Sequence, residues 1–290
     1  MSSLAIKSSL RDYKVFFSQS IYDTLDSELQ PDDVIFVDSK VFRHLNEEAQ
    51  QLITTKKHTF IDATEEQKSY TALTPIIEQL IENHFRRDNR LIAIGGGITQ
   101  DMTAFIASIL HRGAEWIFFP TTLLAQADSC IGGKTSINIG EFKNQLGNFY
   151  PPTKIFIIPE FVKTLPKLDF KSGMGEMLHF YLVSGEKDFE LYQDRYNRAF
   201  TDEKILMQLV KCNLKIKKGF IERDEFDKGE RLLLNYGHSF GHAIESLTNY
   251  EIPHGIAVSY GMDMANFISV KLGFITDDVR WGIRYQLEQI

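Results

Sequence analysis

Leu91–Asp101 reads LIAIGGGITQD: an apolar run, three glycines, then the start of a helical spacing. A short apolar run closed by glycine reads as a buried strand. Met102, Phe105, Ile106, Ile109 and Leu110 follow at the spacing of a helix packed on a core. Glycines at a strand-to-helix turn let backbone N–H groups approach a phosphate, helped by the helix N-terminus. The pattern is not GxGxxG, so the standard dinucleotide fingerprint is absent, and a plain tight turn is the competing reading. Asp101 is expected in the first turn of the helix.

Working outward, YKVFFS, DVIFVDS and HTFIDA precede this stretch, and WIFFP and KIFIIP follow it. They alternate with helical spacers such as the amphipathic run around Leu73–Phe85. That alternation predicts an α/β domain with a largely parallel sheet. Beyond Pro166 the strand signals fade, and Ile205, Leu206, Leu209, Val210, Asn213, Leu214 and Lys217 recur at helical spacing. The expected organisation is an α/β nucleotide-binding domain over residues 1–165 and an all-helical domain over residues 166–290. The last residues, DDVRWGIRYQLEQI, read as a helix without a stop signal, as if the natural chain continued.

The 290 residues are 43% hydrophobic with a formal net charge of −7, which argues against non-specific nucleic-acid binding. No apolar run is long enough to span a bilayer, and the N-terminus MSSLAIKSSLRDYKV lacks a signal-peptide core. Two cysteines, Cys130 and Cys212, exclude a disulfide framework and suit a reducing cytoplasm.

Chemistry-bearing residues concentrate in three blocks. Arg231–His254, RLLLNYGHSFGHAIESLTNYEIPH, holds three of the chain's eight histidines. His238 and His242 share one helical face, Arg231 and Asn235 precede them at helical spacing, and His254 opens the next helix. Such a polar cluster costs stability unless something binds there. In GMGEMLHF, Glu176 and His179 lie on one face among Met174, Met177, Leu178, Phe180 and Tyr181. Glu176 with two distant histidines would make a His₂Glu zinc set with an open, catalytic position. The third block, PTTLLAQADSCIGGKTSINIGEFKNQLGNF (120–149), places Asp128, Lys134, Lys143 and Asn144 in a glycine-punctuated segment too polar for a regular core element. Two lysines and an amide there suit a phosphate-bearing ligand. GGKT mimics the tail of a P-loop, but Asp128 stands where the first glycine belongs, which excludes a nucleoside triphosphatase. Lys217 and Arg231 stand out from an otherwise surface-like charged run over residues 215–231.

Taken in order, GGGxxxD, an RG pair, PTTLLAQ-D-S-GGKT-N-KN, a GxxE helix, N-GHxxGHAxE and HG resemble the sugar-phosphate cyclases, most closely the 3-dehydroquinate synthase family, over about residues 30–275. The resemblance implies Glu176, His238 and His254 as ligands of zinc, or of cobalt in its place, and puts His242 at the substrate rather than on the metal. It implies NAD against Gly95, Gly96, Gly97 and Asp101, with Thr121 and Thr122 nearby and Asp38, Glu65 and Lys68 on the adenosine half. The pocket for a sugar-phosphate substrate would use Asp128, Lys134, Lys143, Asn144, Lys217, Arg231, Asn235 and His242, with Lys134 and Lys143 also near the cofactor. Arg112 matches an arginine that reaches the neighbouring subunit's site, so a homodimer is implied.

The chemistry so implied is hydride removal to NAD⁺ from one carbinol of a seven-carbon keto-acid phosphate, phosphate elimination, return of the hydride and an aldol ring closure. NAD is therefore not consumed. Three positions depart from the family pattern: His179 stands for a phosphate-binding lysine, Gln100 for a glycine before Asp101, and Phe142 for a glycine before Lys143. Family chains also run some tens of residues further and supply another lysine. Rival readings are a cyclase for a different sugar phosphate, a metal-dependent polyol dehydrogenase and a non-catalytic paralogue. Arg231 and Lys217 favour a carboxylated substrate.

Overall fold

The strands are β1 (Ser2–Ile6), β2 (Tyr13–Phe17), β3 (Val34–Asp38), β4 (Lys57–Ile61), β5 (Arg90–Gly95), β6 (Glu115–Pro120), β7 (Ile137–Ile139), β8 (Phe142–Leu146) and β9 (Lys154–Ile157). In this computed structural model, which describes residues 2–290, seven of them form one sheet in the order β1-β2-β9-β6-β5-β3-β4, and β7 and β8 form a separate ribbon. Every pairing from β2 to β4 is parallel, and only β1 runs antiparallel, at the edge. The six sequence runs all become strands; β1 and the β7–β8 ribbon were not anticipated.

The chain divides into two units, one ending at Thr164 and the other spanning Leu165–Ile290. In the first unit β5 is buried along its whole length, as a central parallel strand must be. Ile35, Val37, Ile92, Ile94, Ile117, Phe119 and Phe156 make its core. Arg90 at the start of β5 donates Nε and Nη2 to the two oxygens of buried Asp33, at 2.9 and 2.7 Å. The bidentate geometry satisfies both charges where neither is solvated. Helices α1 (Ile21–Glu28), α2 (Ser39–His44), α3 (Glu47–Thr54), α4 (Tyr70–Glu82) and α5 (Gly97–Ile109) connect the strands. From β3 the chain runs outward to the edge strand β4, then returns to β5 on the other side of β3. The connections after β3 and β5 thus diverge, leaving the crevice at the strand C-termini where open α/β sheets bind ligands.

The second unit is helical: α6 (Lys167–Ser184), α7 (Glu186–Ala199), α8 (Glu203–Arg223), α9 (His238–Leu247), α10 (His254–Lys271) and α11 (Asp277–Leu287). Buried Tyr192 donates its hydroxyl to the Met174 carbonyl, and buried Tyr181 to that of Leu209, both at 2.8 Å. These bonds tie α7 and α8 to α6 and give the phenols the partners that burial demands. Glycine sets how closely α10 approaches its neighbours. A Cβ on Gly255 would overlap the Ser172 carbonyl, and one on Gly261 would overlap that of Gly237. Among the described residues no helix is long and apolar enough to cross a membrane.

Candidate functional site

At the end of β5 the glycine turn opens directly into α5. Gly96 is the extended N-cap residue with no side-chain cap, so the first-turn amides are left to solvent or ligand. A Cβ on Gly97 would meet nothing within 4 Å. Beside the turn, Thr121 donates its amide to the Gly95 carbonyl at 3.0 Å, while its buried hydroxyl oxygen has no hydrogen-bond partner. A small open cradle edged by backbone amides and an orphaned hydroxyl fits a phosphate-bearing cofactor. Thr122 accepts from Ala125 N at 3.1 Å. Asp38 ends β3, whose Val37 pairs with Ile94 of β5, and its carboxylate caps α2 by accepting from Lys40 N at 2.7 Å. Asp101 falls in the second turn of α5, not the first, because the helix begins at Gly97.

Five of the residues singled out in this unit meet in one cluster. Buried Lys68 donates to Asp101 Oδ2 at 3.2 Å and to Asn144 Oδ1 at 2.8 Å, and lies 3.7 Å from Glu65 Oε1. Lys143 Nζ stands 3.7 Å from the same Glu65 oxygen. Burial pushes the Asp101 carboxyl up to about 6, against the opposing pull of Lys68. Asn138, the lone N of the GGKT-N-KN motif and given no role there, organises the ribbon: it donates to Glu65 Oε1 at 2.8 Å and accepts from Asn144 N at 2.9 Å. The latter bond holds Asn144 at a positive φ of 56°, where asparagine is among the tolerated residues. The neighbouring segment was expected to be irregular, and Ala125–Ser129 instead forms a π-helical turn carrying half-buried Asp128. Gln100 is buried and tied to that turn, donating to Ser129 O at 2.7 Å and accepting from Ser129 Oγ at 2.6 Å. Lys134 is exposed and bridges Phe149 through its backbone. Arg112 is exposed, with φ 62°.

In the helical unit, Glu176, His238 and His254 each offer a ligand atom within 4.8 Å of the others. Glu176 Oε1 is 3.7 Å from His238 Nε2, and Oε2 is 3.5 Å from His254 Nε2. Two donors ~2.1 Å from a tetrahedral ion stand ~3.4 Å apart. These separations are therefore those of ligands around one ion, and a carboxylate with two imidazoles suits zinc or cobalt. The Glu176 side chain is 4% exposed, so the charge it carries needs compensation nearby.

His242 sits outside this trio, exposed on α9, with ring centroids 5.4 and 5.6 Å from His238 and His254. Partial desolvation of this otherwise exposed ring, then the charges of His238 and His254, hold its pKa below the ordinary value against the pull of Glu245. A second group of possible ligands is His242, Glu245 and His254. Glu245, the last letter of the GHxxGHAxE motif and given no role there, follows His238 by seven residues on one helical face.

Arg231 and Asn235 do not continue the His238 helix. They occupy a separate 3₁₀ turn, Glu230–Asn235, divided from α9 by Gly237 at φ 82°. Arg231 is nonetheless buried, donating Nη1 to the Glu225 carbonyl, and Asn235 is exposed. Lys217 is buried on α8 with its ammonium 5.8 Å from the Phe180 ring centroid. His179 is fully buried, with Nδ1 4.0 Å from Glu176 Oε1 and the rings of Phe180, Tyr236 and His238 around it.

A family model described as 3-dehydroquinate synthase N-terminal matches residues 58–172, and one described as 3-dehydroquinate synthase C-terminal matches residues 173–290. The 3-dehydroquinate synthase of Campylobacter concisus is 44% identical over 214 residues, 73% of this chain and 61% of that protein. The 3-dehydroquinate synthase of Alkaliphilus oremlandii is 36% identical over 277 residues, 92% of this chain and 76% of its own. The chain thus spans less than two thirds of the first relative's length. A solved 2-deoxy-scyllo-inosose synthase, complexed with carbaglucose-6-phosphate, NAD⁺ and Co²⁺, superposes with a TM-score of 0.87 at 23% identity, covering 100% of this chain and 82% of that one. That likeness establishes the fold alone.

Proposed function

The chain belongs to the 3-dehydroquinate synthase family, and on that footing we propose that it is a phosphate-eliminating cyclase. The reaction is conversion of 3-deoxy-arabino-heptulosonate 7-phosphate to 3-dehydroquinate and phosphate, with catalytic NAD and a divalent metal. The observation that carries the reading is the spacing of Glu176, His238 and His254, whose donor atoms all lie within 4.8 Å of one another.

In this reading Glu176, His238 and His254 hold zinc or cobalt, and Gly95–Gly97, Thr121, Thr122, Asp101, Asp38, Glu65 and Lys68 hold NAD. The metal supplies acidification of substrate hydroxyls, and NAD supplies a reversible hydride acceptor. The chain's own groups do the rest. Arg231 and Lys217 are the fixed cations for the substrate carboxylate. Lys134, Lys143, Asn144, Asp128 and Asn235 orient hydroxyls and phosphate. His179, which stands in sequence where the family has its phosphate-binding lysine, lies fully buried beside Glu176 and would need to become exposed to reach a phosphate. His242, its pKa held below the ordinary imidazole value, is a neutral acceptor for a proton near pH 7. Arg112 completes a neighbouring subunit's site, which makes the working form a homodimer. Its free cysteines suit a cytoplasmic setting.

The test is phosphate release from the keto-acid phosphate by metal-loaded protein with NAD⁺. Phosphate without net NADH is expected. Net NADH from a neutral polyol would replace the cyclase by a dehydrogenase, and release from a different sugar phosphate alone would replace the substrate.

A further inference from the structure

His254 offers its two ring nitrogens to two carboxylates. Nε2 is 3.5 Å from Glu176 Oε2, and Nδ1 is 3.1 Å from Glu245 Oε2. A carboxylate only accepts, so the short contact makes Nδ1 the N–H donor and leaves the lone pair of the neutral ring on Nε2. That is the nitrogen facing Glu176. His238 is arranged alike: Nδ1 is 3.3 Å from the Tyr236 carbonyl, and Nε2 faces Glu176.

The fold delivers Glu245 to this position from two directions. It lies on α9 two turns beyond His238, on the same face. His254 is the first residue of α10, entered through Pro253 at φ −60°. Gly237 and Gly261 let α9 and α10 touch backbone to backbone. The Glu245 side chain is 13% exposed, so its hydrogen bond to His254 is largely shielded from water.

The same carboxylate also belongs to the second candidate ligand group, with His242 and His254. The two roles exclude one another at Nδ1, which either donates a proton to Glu245 or binds an ion. Burial separates them: the Glu176 side chain is 4% exposed, whereas His242 lies open to solvent.

We propose that Glu245 is a positioning residue that holds Nδ1–H of His254, so that Nε2 is presented to an ion shared with Glu176 and His238. The inference rests on the metal reading of those three residues. Outer partners of this kind fix the tautomer and ring orientation of a ligand histidine, and removing one costs about 10- to 100-fold in metal affinity.

The experiment is Co²⁺ titration of the metal-free full chain against a competing chelator, following the visible absorption of bound Co²⁺. For Glu245→Ala the affinity falls about 10- to 100-fold. Glu245→Gln loses less, because its amide oxygen still accepts from Nδ1–H. Both variants keep the wild-type absorption bands, and His242→Ala keeps affinity and bands alike. In ¹⁵N-histidine-labelled protein, His254 carries its proton on Nδ1 in the wild type and in Glu245→Gln. If Glu245→Ala does not fold, the Gln variant and this tautomer signal decide the matter.

Shifted bands in Glu245→Gln, or a loss in His242→Ala equal to that in Glu245→Ala, would make Glu245 a ligand and overturn the proposal. Wild-type affinity in Glu245→Ala overturns it too, provided Glu176→Gln binds Co²⁺ poorly. Undiminished binding by Glu176→Gln brings down the metal reading itself, and this inference with it.

Discussion

In the Lys68 cluster beside the glycine turn the charged and amide side chains already bond one another, although the nearby Thr121 hydroxyl does not. Lys68 sits 2.8 and 3.2 Å from Asn144 and Asp101, and Asn138 ties Glu65 to Asn144. Around Glu176 the spacing is different. Its oxygens face three imidazole nitrogens at 3.5, 3.7 and 4.0 Å, longer than the ~2.8 Å of a charge-assisted hydrogen bond. Hydrogen bonds pull partners together, whereas a shared ion holds its ligands apart around itself. On the proposed reading, the first region would lend its cofactor mainly backbone and shape, whereas the second would gain from an ion held between Glu176, His238 and His254. Removing the ion should accordingly cost far more than disturbing the turn.

The largest expected effect is the loss of that ion. Chelation, or Glu176→Gln, should lower the rate of phosphate release by at least ~1,000-fold, the several kcal/mol that a Lewis acid contributes. Added Zn²⁺ or Co²⁺ should restore the chelated protein but not the variant. The metal should also raise the unfolding midpoint of the wild type and leave that of Glu176→Gln unmoved. Equal midpoint shifts in both proteins would place the ion elsewhere and dissolve the contrast.

Next comes Asp101, a carboxyl of the glycine-turn cluster that burial strongly perturbs. Its pKa rises from 3.8 to about 6, with burial outweighing Lys68. A carboxyl raised on folding costs stability when it is ionised. The cost is absent below its unfolded value, complete above about 6, and grows as pH climbs between the two. A shift of that size corresponds to at most ~3 kcal/mol, and the side chain keeps 21% exposure, so the measured slope should be smaller. Urea unfolding from pH 4 to 6.5 should show a flatter stability profile for Asp101→Asn than for the wild type. Parallel profiles would mean that Asp101 carries no such shift.

How much of this was legible in the sequence divides along the same line. Periodicity exposed six strands, even edge strand β4, and helices of the second unit, because an apolar run or a one-sided repeat shows in the sequence. It missed β1, which lies at the sheet edge with most of its residues open to water. It missed the β7–β8 ribbon too, where polar Asn138 and Asn144 replace the apolar alternation. The histidines were conspicuous by density, and Glu176 by its apolar company. Yet spacing alone extended the His238 helix back to Arg231, across a break set by the left-handed Gly237. Glu245 gave a signal, seven residues after His238, but an acidic residue at that spacing is also an ordinary helix-surface residue. Its meaning depends on α10 returning to meet it, and that is tertiary information.

Gln100 shows how a departure from the family pattern is absorbed. Its buried amide exchanges two hydrogen bonds with Ser129, at 2.7 and 2.6 Å, and so braces the turn that carries Asp128. Gln100→Ala removes both and leaves the Ser129 carbonyl short of a donor, at a cost of about 2 kcal/mol. A lowered unfolding midpoint with Co²⁺ affinity unchanged is the expected result, since the bracing belongs to the first region alone. A fall in Co²⁺ affinity would show that the two regions are not independent.

The smallest change is the sharpest test of the glycine turn, and it turns on which glycine is chosen. At Gly95 a Cβ would run into Thr99, so Gly95→Ala would disrupt the turn whether or not a cofactor binds there, and its result would decide nothing. At Gly97 a Cβ meets nothing within 4 Å, and the residue opens α5 without a positive φ. Alanine there is compatible with the helix and favours it by up to ~1 kcal/mol. Gly97→Ala should therefore leave the unfolding midpoint unchanged or slightly raised, with Co²⁺ affinity untouched. If the diphosphate of NAD lies against these amides, the added methyl occupies the space it needs. A lost contact of about 1.4 kcal/mol would weaken NAD binding about tenfold, readable by calorimetry on the full-length protein. A variant that stays folded, holds its metal and loses NAD would establish the turn as a cradle shaped by the absence of one side chain. Wild-type NAD affinity in the same variant would move the cofactor away from it.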